Sequence, residues 1–127
     1  MTASIKTVDK PKPNLETRSW MFMRYSALLL IPLVWGHILL QDVIVGVHRI
    51  DLNYVALRWA SLGWRIYDVL LLSFAFAHGV NGIRIIANDF IHSERGRKTA
   101  HWVLFLFWLL LTAIGAITII GGVRPIS

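Results

Sequence analysis

Three long apolar blocks alternate with short polar stretches along this chain. The blocks cover residues 20–45, 67–87 and 102–120. As α-helices rising about 1.5 Å per residue, they have the length needed to cross roughly 30 Å of membrane hydrocarbon. The pattern therefore predicts an all-α membrane protein with three transmembrane helices, the first of them bent at Pro32.

A mixed segment, residues 48–65, connects the first two blocks. It combines apolar side chains such as Val55 and Leu62 with arginines such as Arg58, a composition typical of helices that lie in the membrane interface. Asn53 is a suitable N-cap residue. We therefore expect a short interfacial helix between transmembrane helices 1 and 2.

The distribution of charged residues predicts where the transmembrane domain begins and how it is oriented in the membrane. Residues 1–19 are polar and lack the apolar core of a signal peptide, so they are predicted to form an N-terminal arm before a transmembrane domain at residues 20–127. The arm and the loop between helices 2 and 3 carry more basic residues than the opposite side. This bias predicts a multi-pass protein with its N-terminus in the cytoplasm and its C-terminus outside. We expect the membrane to be a bacterial cytoplasmic (inner) membrane.

Composition narrows the classes of function. Hydrophobic residues make up 56% of the chain and the mean hydropathy is +0.59, which agrees with membrane lipid as the surroundings. The net charge of +6 comes from residues at the ends of apolar blocks, which argues against nucleic acid as a partner. Because the chain has no cysteine, any redox group must use histidine or bind non-covalently.

His78 is the most informative single residue. It lies in the middle of the second block, where ionisable side chains are costly and usually functional. A neutral imidazole is a good axial ligand for haem iron, and Gly79 and Gly82 would let a flat macrocycle approach the helix. The alternative is a histidine that hydrogen-bonds to a neighbouring helix, with the glycines serving helix packing.

Asp89 and Phe90 follow His78 toward the predicted cytoplasmic boundary. Asp89 is eleven residues after His78, which places it within about 20° of the same helix face and roughly 16 Å further along. A carboxylate there could pass a proton to a bound quinone. The alternative is an ordinary helix-end acid paired with Arg95 or Lys98.

Two arginines and a serine are further candidates. Arg84 lies inside the second block and needs a partner, either a haem propionate or a lipid phosphate. Arg24 and Ser26 lie near the start of the first block and could contact a propionate or a quinone oxygen, or Arg24 could only anchor the helix.

His37 is a candidate for a second haem. It lies about 25 Å from Trp20 along the first helix, deeper toward the outer face than His78, so the two are not expected to share one iron. An interhelical hydrogen bond is an equally good explanation. His48, His92 and His101 are expected to be interfacial residues without a role in the site.

Taken together, these segments resemble the small, D-type cytochrome b membrane anchor of succinate dehydrogenase. The resemblance covers about residues 20–92 and rests on residues 23–29, 49–61 and 78–90. It implies that His78 ligates the iron of haem b while the second anchor subunit of the complex supplies the other ligand. It also implies that Asp89 borders a quinone pocket. At the next position the family has a tyrosine, whereas Phe90 cannot donate a hydrogen bond to a quinone.

The resemblance further implies a function in respiratory complex II. Electrons from succinate would pass through the flavoprotein and the iron–sulfur protein of the complex to ubiquinone or menaquinone, with one or two haems in the anchor. Because this chain has no cysteine and no glycine-rich dinucleotide motif, flavin and succinate chemistry must lie in those other polypeptides. Such complexes also occur as trimers of heterotetramers.

Three alternatives stay open beside this resemblance. The chain could be the anchor of a fumarate reductase, in which electrons move in the opposite direction. It could also be a cofactor-free structural or assembly subunit. A self-contained di-haem cytochrome is the third alternative, and the mismatched depths of His37 and His78 disfavour it.

Overall fold

A computed structural model describes residues 14–124, and four α-helices account for most of them. Helix α1 covers Leu15–Ile38, α2 Leu52–Ala60, α3 Leu62–Phe90 and α4 Glu94–Gly121. The described residues form no β-strand. Three helical segments are long and apolar enough to cross a membrane, and the short α2 lies between the first two. The predicted all-α class, with three membrane helices and a short helix after the first, is confirmed.

The first membrane helix is longer and less regular than the apolar block indicated. It continues through Pro32 and passes into a π-helical segment at Leu39–Val45, so that one span covers Leu15–Val45. Gly46 then adopts a positive φ of 84°. Glycine reaches this left-handed conformation without the steric penalty that a Cβ atom causes, and the chain can leave the helix there.

Polar caps, and not the apolar blocks, set where the membrane helices α1 and α4 begin. The Asn14 side chain accepts a hydrogen bond from the Thr17 amide at 2.9 Å, and the Ser93 hydroxyl accepts one from the Gly96 amide at 3.1 Å. These bonds satisfy amide groups that have no partner within the first helical turn. The first helix therefore starts at Leu15, ahead of the predicted domain boundary at residue 20, while the rest of the arm lies outside the described residues.

Helix α3 is the centre of the fold, because it packs against both α1 and α4. Glycines allow the close approaches. A Cβ atom at Gly36 would lie 3.1 Å from the Tyr67 hydroxyl, which donates to the Leu33 carbonyl, and a Cβ at Gly115 would collide with Leu72. Small residues at crossings are the usual device of membrane helices, which lack a hydrophobic driving force between them.

The described chain buries few side chains by itself. Of the residues described, only Ser26, Arg58 and Ile119 are buried, whereas large apolar residues along all three spans remain exposed. In water such surfaces would be unfavourable, but in a bilayer they contact lipid or other helices. The three spans therefore have apolar faces that are available for lipid and for partner subunits.

The short helix α2 begins after Asp51, whose side chain accepts a hydrogen bond from the Tyr54 amide at 2.7 Å. The predicted N-cap at Asn53 is therefore wrong, since Asn53 lies inside the first turn. Both residue types can cap a helix, and sequence composition alone did not distinguish them.

An ion pair between Arg58 and Asp68, which is little exposed to solvent, joins α2 to α3. The Arg58 guanidinium donates through Nε and Nη2 to the two carboxylate oxygens of Asp68 at 3.0 and 2.8 Å. The Trp59 indole donates to Asp68 at 2.9 Å, and the guanidinium carbon of Arg58 lies 4.1 Å from the centre of the Trp64 ring. Because the carboxylate and the guanidinium each have several partners, the two charges can stay buried.

Candidate functional site

His78 faces Ser26 across the contact between α1 and α3. The Ser26 Oγ lies 2.8 Å from the His78 Nδ1, and Ser26 is only 2% exposed. The sequence suggested Ser26 as a contact for a propionate or a quinone. The structure instead places it against the side of the imidazole, where it orients the ring.

The Ser26 hydroxyl also lies 3.3 Å from the Met23 carbonyl, to which it can donate. When its single proton is used in that bond, Ser26 accepts from His78, so the imidazole carries its proton on Nδ1. The lone pair is then on Nε2. A metal-binding histidine commonly has this arrangement, in which the second ring nitrogen donates to a fixed acceptor.

An open face of α3 lies beside His78. The exposed residues Ala75, Gly79, Ile86 and Phe90 recur at helical spacing along it, and nothing lies within 4 Å of where a Cβ atom of Gly79 would be. Ile86 is 58% exposed and Phe90 77%. A flat apolar group could therefore approach the helix backbone at Gly79, one residue from the imidazole. The residues present fit a haem ligated by His78.

Asp89 and Phe90 lie at the end of α3, on or next to the open face. Asp89 is exposed and forms no ion pair with any described residue, so the alternative partners Arg95 and Lys98 are not its partners here. It borders a surface pocket together with Glu94 and Lys98. A carboxylate at a helix end without an ion-pair partner can exchange protons with solvent or with a bound molecule.

Arg84 points to the opposite side of α3. Six residues of helix place it about 120° from His78, and its guanidinium forms an ion pair with Glu16, with the Nη1 to Oε1 distance at 2.8 Å. Its Nε also donates to Asn81, which in turn donates to the Ser19 carbonyl. A haem propionate or a lipid phosphate was expected as its partner, whereas the described partner is Glu16, a residue that the sequence did not single out.

Arg24 is exposed and lies apart from Ser26. Its guanidinium carbon is 4.8 Å from the centre of the Trp20 ring, one turn earlier on α1. An arginine stacked on a tryptophan near a helix start is typical of an interfacial anchor. Arg24 and Ser26, which are neighbours in the sequence, therefore have different surroundings in the fold.

His37 lies near a second cavity, at the other end of the bundle. Ser26, which touches His78, is eleven residues before His37, a separation of about 16 Å along α1. The depth difference inferred from the sequence is therefore present in the fold. The cavity has a volume of about 370 Å³ and is also lined by Gln41, Tyr54 and Asp68. The His37 Nδ1 and the Gln41 Oε1 are buried and have no hydrogen-bond partner among the described residues.

The remaining histidines differ from one another. His101 lies 2.9 Å from the Asn88 side chain, measured from Nε2 to Oδ1, and thus joins α4 to α3. His48 and His92 are exposed. The sequence predicts that all three are interfacial. It does not predict a role for Asp68, because a lone acid near the start of an apolar block gives no sign of its partner.

One comparison with known proteins identifies the family. The family model described as succinate dehydrogenase/fumarate reductase transmembrane subunit matches residues 7–119. The chain belongs to this family and is a membrane anchor of a succinate dehydrogenase/fumarate reductase oxidoreductase complex, with partner subunits. Its three membrane-spanning helices agree with that assignment. A comparison with curated proteins found no match.

Proposed function

We propose that this chain is the small, D-type anchor of a succinate dehydrogenase, the respiratory complex II, of a bacterial inner membrane. In this proposal it holds haem b through His78 and forms part of the site where quinone is reduced. The observation that supports it most strongly is the 2.8 Å contact between His78 Nδ1 and Ser26, which leaves Nε2 available beside an open helix face.

The iron of haem b takes a second axial ligand, which we assign to the other anchor subunit of the complex. The open face at Gly79 supports this, because another membrane helix can pack there and place the haem between the two chains. His37 is the candidate ligand for a second haem. Its position beside a separate cavity supports that assignment, and its depth about 16 Å from Ser26 requires a separate iron.

The quinone site is proposed near Asp89 and Phe90, at the end of α3 that we assign to the cytoplasmic side. Electrons arrive from the flavoprotein through the iron–sulfur protein, and haem b, when bound, can accept and return an electron. The role of this chain is protonation: the exposed Asp89 can deliver a proton to the reduced quinone. Phe90 supplies an apolar wall, and the hydroxyl that it lacks must come from a partner.

Two alternatives remain distinct from this proposal. A fumarate reductase anchor would use the same parts with electrons moving in the opposite direction. A cofactor-free structural protein would explain the His78–Ser26 contact as a simple link between helices. The two proposals differ in the Nε2 of His78, which binds iron in the haem-binding proposal and has no role in the structural one.

Purification through a tag on this chain tests the proposal. The complex extracted in mild detergent is expected to contain three further polypeptides, a b-type reduced-minus-oxidised spectrum, and quinone reduction driven by succinate. A complex with the same polypeptides but no haem absorption would support the structural alternative. Faster fumarate reduction by quinol than quinone reduction by succinate would support the reverse direction.

Ser26→Ala tests whether the serine orients the haem ligand. The substitution leaves the His78 Nδ1 proton without its acceptor and makes the imidazole a weaker electron donor. We expect haem to be retained with roughly tenfold lower affinity, and its midpoint potential to rise by on the order of tens of millivolts. Redox titration of the purified complex measures this shift.

Ser73→Ala is the matched control, because it removes a hydroxyl from the same membrane helix as His78. It is expected to leave the potential unchanged. Equal potentials in Ser26→Ala and wild type would show that the serine has no influence on the ligand.

A further inference from the structure

A cleft on the far side of α3 is not used by the proposed haem and quinone sites. It has a volume of about 370 Å³ and is lined by one helical stripe from each membrane helix. The α3 stripe includes Ala77, Val80 and Arg84, which lie about 100° to 160° around the helix from His78. A ligand in this cleft would therefore be separated from a haem on the open face by the body of α3.

The interior of the cleft is apolar. Phe22 lies on its α1 wall, while Leu104, Phe105 and Trp108 line it on α4. The Trp108 indole Nε1 is buried and has no hydrogen-bond acceptor among the described residues. Since buried donors are nearly always paired in proteins, this N–H is a candidate donor to an oxygen of a ligand in the cleft.

The mouth of the cleft is cationic. It lies at the end of the bundle where α1 begins, and Arg18, Arg84 and His101 line it. Arg84 is neutralised by Glu16, and His101 is joined to Asn88. The exposed Arg18 guanidinium has no ion-pair partner among the described residues. Lys98 lies in an adjoining pocket, which the acids Glu16, Asp89 and Glu94 also line. Arg18 is thus the arginine of the cleft lining whose charge is not neutralised by a described residue.

We propose that this cleft binds an anionic phospholipid. An acyl chain lies along the apolar walls between α1 and α4, the phosphate contacts Arg18 at the mouth, and an ester carbonyl accepts from the Trp108 indole. A neutral quinone would satisfy the indole but not the arginine. An anionic phospholipid matches both the unpaired charge of Arg18 at the mouth and the apolar walls of the cleft.

The experiment compares lipid retention by the purified complex. After detergent exchange has removed loosely bound lipid, the complex is titrated with phosphatidylglycerol or phosphatidylcholine, and bound lipid is counted by native mass spectrometry. The wild-type complex is expected to bind phosphatidylglycerol more tightly. Arg18→Gln should lower that affinity about fivefold, as expected for losing one basic contact with an anionic lipid, and Trp108→Phe should lower it by a similar factor.

Arg24→Gln is the matched control, because it removes the same charge from the same helix but from a guanidinium stacked on Trp20. It should leave phosphatidylglycerol binding unchanged. Three outcomes would overturn the proposal: equal binding of the two lipids, equal losses in Arg18→Gln and Arg24→Gln, or no retained lipid because a partner covers the cleft. The haem spectrum of each variant checks that the complex is intact and is independent of the lipid count.

Discussion

Replacing His78 with alanine should abolish haem b binding in the purified complex. The imidazole is the only described histidine in contact with Ser26 and beside the open face of α3, and His37 lies about 16 Å away along the bundle. No other described histidine lies on this face to take its place as an iron ligand. The reduced-minus-oxidised absorption spectrum, normalised to the amount of flavin, measures the loss.

Two further variants separate ligand loss from general damage. His48→Ala removes an exposed histidine from the segment after the first span and should keep the full haem signal. His78→Gly leaves a gap of imidazole size, so adding imidazole should restore part of the spectrum. An unchanged haem content in His78→Ala would refute the ligand assignment.

The second large effect is expected for Asp89→Asn. Removal of a positioned proton donor typically slows a reaction by a factor of about 100 or more. We therefore expect succinate-driven quinone reduction to fall roughly 100-fold, because the amide cannot supply the proton that the reduced quinone requires. Succinate oxidation by an artificial acceptor that takes electrons upstream of the membrane should stay near the wild-type rate.

Asp42→Asn provides the control, because Asp42 is an exposed acid at the opposite end of the first span. It should affect neither assay. Parallel losses in both assays for Asp89→Asn would mean that the substitution damages assembly of the complex and not proton delivery.

The sequence predicted the membrane helices well, because their main determinant is a run of apolar residues long enough to cross a bilayer. It placed the helix ends less accurately. Asn14 and Ser93 cap helices that begin before their apolar blocks, and Asp51 caps the short α2. A capping side chain carries no hydropathy signal. The pattern of apolar residues likewise did not predict the π-helical segment at Leu39–Val45.

The candidate site was only partly predictable for a different reason. Mid-span polarity singled out His78 and Arg84, and helix periodicity placed Asp89 near the face of His78. Their partners, Ser26 and Glu16, come from positions far away in the chain. Such pairings depend on how α1 packs against α3, which a single sequence does not specify.

The same limit applies to Arg58. As a residue in an amphipathic segment it looked like an interfacial charge, yet it is buried in a bidentate pair with Asp68. The two charges form an ion pair because α2 packs against α3.

The most direct test of haem ligation by His78 is a density map of the intact complex, purified with its partner subunits. The map should show a porphyrin on the open face of α3, with its iron bonded to the Nε2 of His78 and Ser26 against the other ring nitrogen. A map in which that imidazole contacts only protein or lipid, or in which the iron is ligated by other residues, would contradict it.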